Sequence, residues 1–443
     1  MPVARATRHA WVVWATAVVV YLFAVFHRSS LGVAGLAAGE RFGVGPAALS
    51  TFTVLQVAVY AAMQVPTGLL VDRFGPRRVL TVAALLMGLG QTLFAVAESY
   101  PLGLLARAVL GLGDAMTWVS VLRLIAAHFP ARRYAVVMSL SAMLGAAGNL
   151  AATVPLTAAL HEPGWTVTFL AVGLATAVYG LVVAVRLRDV PAGSPAPVAE
   201  STQPTAVLRK VVGAWQVPGT RLGFWVHFST MVAPTTLGLL WGVPYLVQAQ
   251  GLSAEAAGSV LSLLVLGALV GSPLLGAAIG RRPELRMPLV AAYLVTSAVV
   301  WALLLALPGG QAPLWLLVLA FALFAFGGPA SSVAFALAKD YNPVRTVSTA
   351  TGVVNVGGFV ATTIAALAVG VLLGLAEPLG SGPAFQIAFL AVVAVQLVGT
   401  WRTATWWRRA RAVVLLAAER GEQVPVQLRR RRWDDPVPQP AVA

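Results

Sequence analysis

Long apolar runs of this chain contain few ionisable residues: His27, Arg28, Arg107, Asp114 and Arg123, with His128 and His227. A charge at membrane depth costs several kcal/mol unless it is paired or wet, so such residues face a cavity or a partner. At a rise of 1.5 Å per residue, Arg107 lies roughly 8 Å from the outer end of its apolar run, Arg28 roughly 12 Å and Asp114 roughly 18 Å. Arg107 and Asp114 are seven residues apart and share a helix face, which Gly111 thins. With Arg28 turned to the same side, two cations bracket one carboxylate. The set is then short of one negative charge, which a bound anion would supply. His27 can take a proton, because imidazole titrates near neutrality, but it would add positive charge when loaded. Arg123 and His128 sit near one end of a run and are read as snorkelling. His227 is read as a packing or polar-cavity residue.

The elements that must position these residues follow from composition. Of 443 residues, 59% are hydrophobic and 10% charged, against about 25% charged in soluble domains. Runs of about 20 apolar residues, each long enough to cross a bilayer core, recur from end to end. The expected fold class is therefore an all-α membrane protein with twelve transmembrane helices. The chain has no cysteine, which excludes disulfides and thiolate sites, and its five histidines are scattered, so no metal site is expected. The apolar run from Trp11 is too long for a cleavable signal peptide and lacks a cleavage pattern. The net charge of +15 is laid out as an orientation signal and gives no reason to invoke nucleic acid.

Spans are expected near 11–36, 47–71, 78–97, 102–127, 134–160, 165–187, 221–248, 254–279, 287–307, 313–338, 346–375 and 383–401. The loops after even-numbered spans carry the cations: Arg73, Arg77 and Arg78; Arg132 and Arg133; Arg186, Arg188, Arg209 and Lys210; Arg281, Arg282 and Arg286; Lys339 and Arg345. The positive-inside rule then puts both termini in the cytoplasm of a multi-pass protein of the plasma (inner) membrane. The organisation expected is a six-helix bundle over 1–187, a cytoplasmic linker over 188–220 and a second six-helix bundle over 221–401, followed by a basic cytoplasmic tail over 402–443. The linker stretch DVPAGSPAPVAESTQPT reads as flexible. The tail, with Trp406, Trp407 and RRRR at 429–432, reads either as a segment on the inner leaflet or as a solvated basic tail.

The two halves repeat. GLLVDRFGPRR at 68–78 and GAAIGRRPELR at 276–286 match at Gly68 with Gly276, Arg73 with Arg281 and Arg78 with Arg286, while Asp72 is replaced by Gly280. Recurrence at the same place in two six-span halves is the mark of a duplicated transporter fold. Gly68 lets two helix ends approach. Asp72 lies within reach of Arg73, Arg77 or a facing helix N-terminus. Gly68, Asp72, Arg73, Gly75, Arg77 and Arg78 together form a candidate conformational latch.

This loop resembles the signature of the major facilitator superfamily. The resemblance covers nearly the whole chain outside the tail and implies two pseudo-symmetric six-helix bundles, a central cavity and alternating access. Within the superfamily, YLFAVFHRSSLGVAG at 21–35 and RAVLGLGDAMTWVSVLRLIAAHFP at 107–130 are similar to the first- and fourth-helix patterns of the anion:cation symporter branch, which holds organic acid permeases. GLLWGVPYLVQAQGLS at 238–253 and RTVSTATGVVNVGGF at 345–359 look like its seventh and eleventh helices. The resemblance implies a substrate-carboxylate role for Arg28, a proton-carrying role for Asp114 and a match of Arg107 to the fourth-helix arginine. The chain departs from the branch where His27 stands for an aspartate and Ser30 for an asparagine.

Other polar positions could line a cavity: Gln56, Tyr60 and Gln64 at i, i+4 and i+8 of span two, Trp241 and Tyr245 in span seven, and Asn355 in span eleven. Glycines in GAAGNLAA at 145–152 and GVVNVGG at 352–358 are similar to nitrate/nitrite porter signatures. The cations of those porters are replaced here by Gln64 and Ser272, so the glycines are read as helix-approach sites. The expected function is secondary transport of a small organic anion with a proton. The substrate-binding candidates are Arg28, Arg107, Tyr60, Gln64, Trp241, Tyr245 and Asn355, with Asp114 and His27 for the proton. No cofactor is expected, the energy coming from a proton or other ion gradient. The expected partners are a small anionic substrate and the lipid bilayer, and a monomer is expected by analogy. The alternatives are a proton-driven exporter of amphipathic compounds and a non-transporting receptor. An enzyme is not expected, since no nucleophile–base set, phosphate loop or metal set appears.

Overall fold

The computed structural model describes residues 8–44, 46–152, 154–190, 204–343, 346–422 and 424. Arg345 and the RRRR run at 429–432 lie outside them, as do residues 191–203 of the expected linker. Among the described residues the secondary structure is helical and free of strands. In chain order come α1 (Arg8–Phe42), α2 (Pro46–Phe74), α3 (Pro76–Val96), α4 (Tyr100–Ala115), α5 (Thr117–His128), α6 (Ala131–Ala151), α7 (Val154–His161) and α8 (Gly164–Arg186). They are followed by α9 (Pro204–Gln216), α10 (Pro218–Thr236), α11 (Gly242–Pro244), α12 (Ala254–Arg281), α13 (Arg286–Ala306), α14 (Leu314–Phe324), α15 (Gly327–Tyr341), α16 (Val347–Ala376) and α17 (Ser381–Glu419). Among the described residues twelve segments are long and apolar enough to cross a membrane, and they match the twelve expected spans.

The fourth span consists of α4 and α5, broken at Met116, whose N–H turns back to Gly113 O at 3.1 Å. The tenth consists of α14 and α15, broken in the same way where Phe326 N–H meets Leu323 O at 3.2 Å. A matching break in each half is further evidence of the duplication read from the loops. The seventh span carries π-helical turns at Leu237–Trp241 and Tyr245–Ala249. Pro234 and Pro244 lie beside them, and a residue without an N–H cannot continue the α-helical ladder.

The chain divides into two compact units. The first holds Met1–Val211 together with Val344–Val356, and the second holds Val212–Pro343 together with Gly357–Ala443. This corrects the expected boundary, because the opening turns of α16 belong to the first unit. The reason is backbone approach: a Cβ at Gly68 of α2 would stand 2.7 Å from Ser348 O and 2.8 Å from Thr349 Cα, so only glycine fits. In the first unit α3 packs against α4 and α8, and α1 against α6. Its core gathers Phe42, Phe52, Phe94 and Phe169. In the second unit α10 packs against α15 and α17, over a core that includes Trp301, Phe321, Phe324 and Phe389.

Two expectations about the connections are also corrected. The end of the 188–220 linker is helical, because Pro204 supplies a pre-set first turn to α9. The tail does not begin at 402 either, since α17 continues to Glu419. Thr403, Trp406, Ala410, Arg411 and Val414 of this extension are buried, at the three- and four-residue spacing of one helix face.

Candidate functional site

The centre of the first unit is assembled by side chains that are absent as much as by those present. A Cβ at Gly111 would stand 3.0 Å from Gln56 O, and one at Gly113 would stand 2.6 Å from Ala83 O, so α4 lies close against α2 and α3. On the opposite side, Gly148 admits Leu22 O of α1 to 2.6 Å from where its Cβ would be, and Gly145 admits the Tyr21 ring. The sequence reading of these glycines as helix-approach sites thus holds for α6. It holds for α16 too, where Gly352 lies on Gln64 in the first unit and Gly358 lies on His227 in the second.

Held between these contacts, Arg28 of α1 grips Asp114 of α4 with two bonds. Nε donates to Oδ2 at 2.8 Å and Nη2 to Oδ1 at 2.6 Å. The aspartate is sealed at 0% exposure, whereas the arginine side chain keeps 21%. The Arg28 guanidinium also lies 4.7 Å from the centroid of the Tyr60 ring. Tyr60 leads to Asn355, whose amide donates to Gln64 Oε1 at 2.5 Å and approaches the Tyr60 hydroxyl at 3.4 Å. Asp114, Arg28, Tyr60, Asn355 and Gln64 therefore form one connected polar chain inside the first unit. Such a bidentate guanidinium–carboxylate contact is charge-assisted, geometrically specific and fitted to carboxylate recognition.

Arg107 and His27 behave differently from expectation. Arg107 is fully buried, donates from Nη1 to His27 O at 3.3 Å and stands 5.4 Å from the Phe94 ring. It does not bracket Asp114. Seven residues place the two about 10 Å apart along the helix, too far for a direct pair even on one face. His27 has no exposure, with Nδ1 3.1 Å from Gln91 Oε1 on α3 and Nε2 3.0 Å from Thr176 Oγ1 on α8. Neither residue meets a wet cavity.

At the far end of α2, Asp72 Oδ2 accepts from the Thr349 N–H at 3.0 Å and from its hydroxyl at 2.5 Å, with Lys210 Nζ at 3.3 Å. Thr349 lies in the first turn of α16, where the helix dipole favours an anion. Of the partners open to Asp72 from sequence, the helix N-terminus is the one used. Gly75 turns the chain between α2 and α3 at φ +81°, a conformation suited to glycine. Arg77 is engaged elsewhere, its N–H on Asp189 Oδ1 at 2.6 Å and its Nε on Ala184 O at 2.8 Å. Arg73 lies over Phe74, and Arg78 is exposed.

A model of the Major Facilitator Superfamily matches residues 17–291 and 223–438 of the chain. The chain belongs to that superfamily. The fold agrees: the superfamily proton:xylose symporter XylE superposes with a TM-score of 0.67 at 14% identity, over 89% of this chain and 95% of that one. The superfamily transporter FucP in its outward conformation gives 0.68 at 15%, over 89% and 99%. Among curated relatives, a quinolone resistance transporter of Acinetobacter baumannii is 32% identical over 165 residues, which cover 35% of this chain and 38% of that protein. The probable sulfoacetate transporter SauU of Cupriavidus necator is 25% identical over 39% of this chain and 40% of its own length. These two matches thus reach well under two thirds of the relatives' lengths. The probable galactarate/D-glucarate transporter GudP of Escherichia coli is 24% identical over 83% of this chain and 88% of its own.

In this superfamily member the remaining candidates lie in the second unit. Trp241 donates from Nε1 to Ala366 O at 3.0 Å. Tyr245 is buried against Phe385 and Phe389, its ring 5.0 Å from the latter, and is part of that unit's core. The second-half counterpart of the loop cluster pairs Arg286 with Asp340. Sequence reasoning missed Lys210, Thr349, Asp189, Gln91 and Thr176. Only Thr349 carried a signal, as a hydroxyl residue at the start of a long apolar run.

Proposed function

We propose that the protein takes up a small organic anion together with a proton by alternating access, as a plasma-membrane monomer. The observation that carries this reading is the Arg28–Asp114 pair. A substrate carboxylate would occupy the guanidinium fork that Asp114 now fills, and it can do so once Asp114 is protonated. Proton and anion then load together, and neither loads well alone. Tyr60, Asn355 and Gln64 offer neutral donors beside that fork. Mass-action uptake into proteoliposomes is the test: an inward proton gradient should drive accumulation of sugar acids or hydroxy acids.

The 32% match to a quinolone resistance transporter favours a second reading, export of amphipathic compounds by proton antiport. Outward flux of a lipophilic cation from loaded vesicles, unaffected by organic acids, would favour that reading over uptake.

The Asp72 cluster is the latch of this cycle. Asp72→Asn keeps the shape but removes the charge from the α16 N-terminus and from Lys210, which costs about 1–2 kcal/mol in a partly buried setting. Maximal uptake is expected to fall roughly tenfold while affinity for the substrate is retained. An equal loss of affinity would assign Asp72 to binding instead.

A further inference from the structure

We infer that one proton crosses with each substrate molecule, and that Asp114 alone carries it. This rests on the anion–proton reading above and fixes its stoichiometry.

A carrier must be ionisable, lie within a span and sense the substrate. Among the described residues the spans hold the acids Asp72, Asp114, Glu284, Asp340 and Glu419. All except Asp114 lie within two residues of a span end. Asp72 is held by Thr349 and Lys210, and Asp340 by Arg286 and Lys339. Asp114 is thus the single mid-span carboxylate, and it is bonded to the cation proposed to take the substrate.

His27 is the rival, one residue from Arg28. Both of its ring nitrogens are engaged by side chains from α3 and α8, and the hydroxyl of Thr176 is itself committed to Val172 O at 2.8 Å. Its carbonyl receives Arg107, so a second cation on the ring would stand beside that guanidinium. Its ring nitrogens meet only the neutral side chains of Gln91 and Thr176, whereas Asp114 is bonded directly to the cation proposed to take the substrate. His27 is a positioning residue: Gln91, Thr176 and Arg107 fix the turn of α1 that carries Arg28. His227 is buried in the second unit, 5.0 Å from the Phe335 ring and packed against Gly358.

The groups that face Asp114 agree with a single charge step. From α1 come Arg28 and Tyr21, from α2 Tyr60, and from its own helix Arg107 at longer range. α3 presents the apolar Ala83 and Met87 against the neighbouring Gly113, and Thr117 of α5 donates to Asp114 O. Among these groups Asp114 is the one carboxylate, and both of its oxygens face Arg28. Loading one proton raises the charge of the cluster by one. A monoanion then crosses without net charge, and a dianion carries one negative charge inward.

The experiment is a static-head measurement in proteoliposomes clamped at zero potential. The probes are a monocarboxylate and a dicarboxylate sugar acid, with one pH unit across the membrane. One proton sustains an accumulation of about tenfold for either, and two protons sustain about a hundredfold. The expected result is about tenfold, with dianion uptake slowed by an inside-negative potential and monoanion uptake indifferent to it. His27→Gln is expected to keep the tenfold ratio, and Asp114→Asn to bring it to about one. A hundredfold ratio, or a ratio lost in His27→Gln protein that still exchanges substrate, would overturn the inference and leave anion–proton symport standing. Absence of any carboxylate uptake or exchange would instead overturn symport itself.

Discussion

Arg28→Ala is expected to lower carboxylate uptake by roughly two orders of magnitude or more, the consequence of about 2–5 kcal/mol lost when one side of a buried, hydrogen-bonded charge pair is removed. Two features of the site set this scale. Arg28 meets Asp114 through two parallel bonds of 2.6 and 2.8 Å, the geometry in which guanidinium exceeds any other side chain. The partner is fully buried, so bulk water does not weaken the contact. The fold should survive the change, because an aspartate left without its cation takes up a proton rather than remain charged in the interior. Arg28→Lys keeps the charge and loses the fork, and its uptake should fall between the two. Initial uptake rates of the three proteins, with thermal midpoints to confirm folding, check the prediction. Wild-type rates in Arg28→Ala would mean that the anion docks elsewhere.

The second large effect lies where α6 crosses α1. Gly148→Leu places a Cβ 2.6 Å from Leu22 O and 3.1 Å from Phe26 N, distances that only a shift of α1 can relieve. Overpacking of this kind costs about 1–3 kcal/mol. Arg28 is borne on the displaced helix, and a misplacement of about 1 Å at a reacting geometry can cost roughly a hundredfold. Thermal stability and uptake should therefore fall together. Gly258→Leu is the control, since no atom lies within 4 Å of a Cβ at that position, and it should leave both close to wild type. Equal effects from the two substitutions would show that the Gly148 contact does not position the site.

These expectations also show how far the sequence could be read. Arg28 and Asp114 were legible because a charge inside an apolar run demands an explanation, and the structure gives them each other. Tyr60, Gln64 and Asn355 were legible as polar residues on helix faces, but not as one connected chain. Their connection depends on the approach of α16 to α2, which rests on Gly68 and Gly352, residues with no side chain to signal it. Arg107 was misread because a long side chain can turn away from the face its Cα occupies. Here it turns to a backbone carbonyl that no sequence pattern marks. His27 looked like a proton site in isolation; Gln91 and Thr176, which seal it, sit in helices whose packing on α1 is a tertiary fact. The α17 extension was hidden by its arginines, which resemble a solvated tail even though Trp406, Ala410 and Val414 give it a buried face.

The account stands or falls on whether an anion docks at Arg28. The direct measurement is thermal stabilisation of purified wild-type and Arg28→Ala protein by sugar acids, hydroxy acids, inorganic anions and lipophilic cations. A ligand present at a hundred times its dissociation constant stabilises the folded state by about 2.7 kcal/mol. The account predicts that carboxylates stabilise the wild type and have no effect on the Arg28→Ala protein. Stabilisation by lipophilic cations alone, equal in both proteins, would contradict it and make export the leading reading.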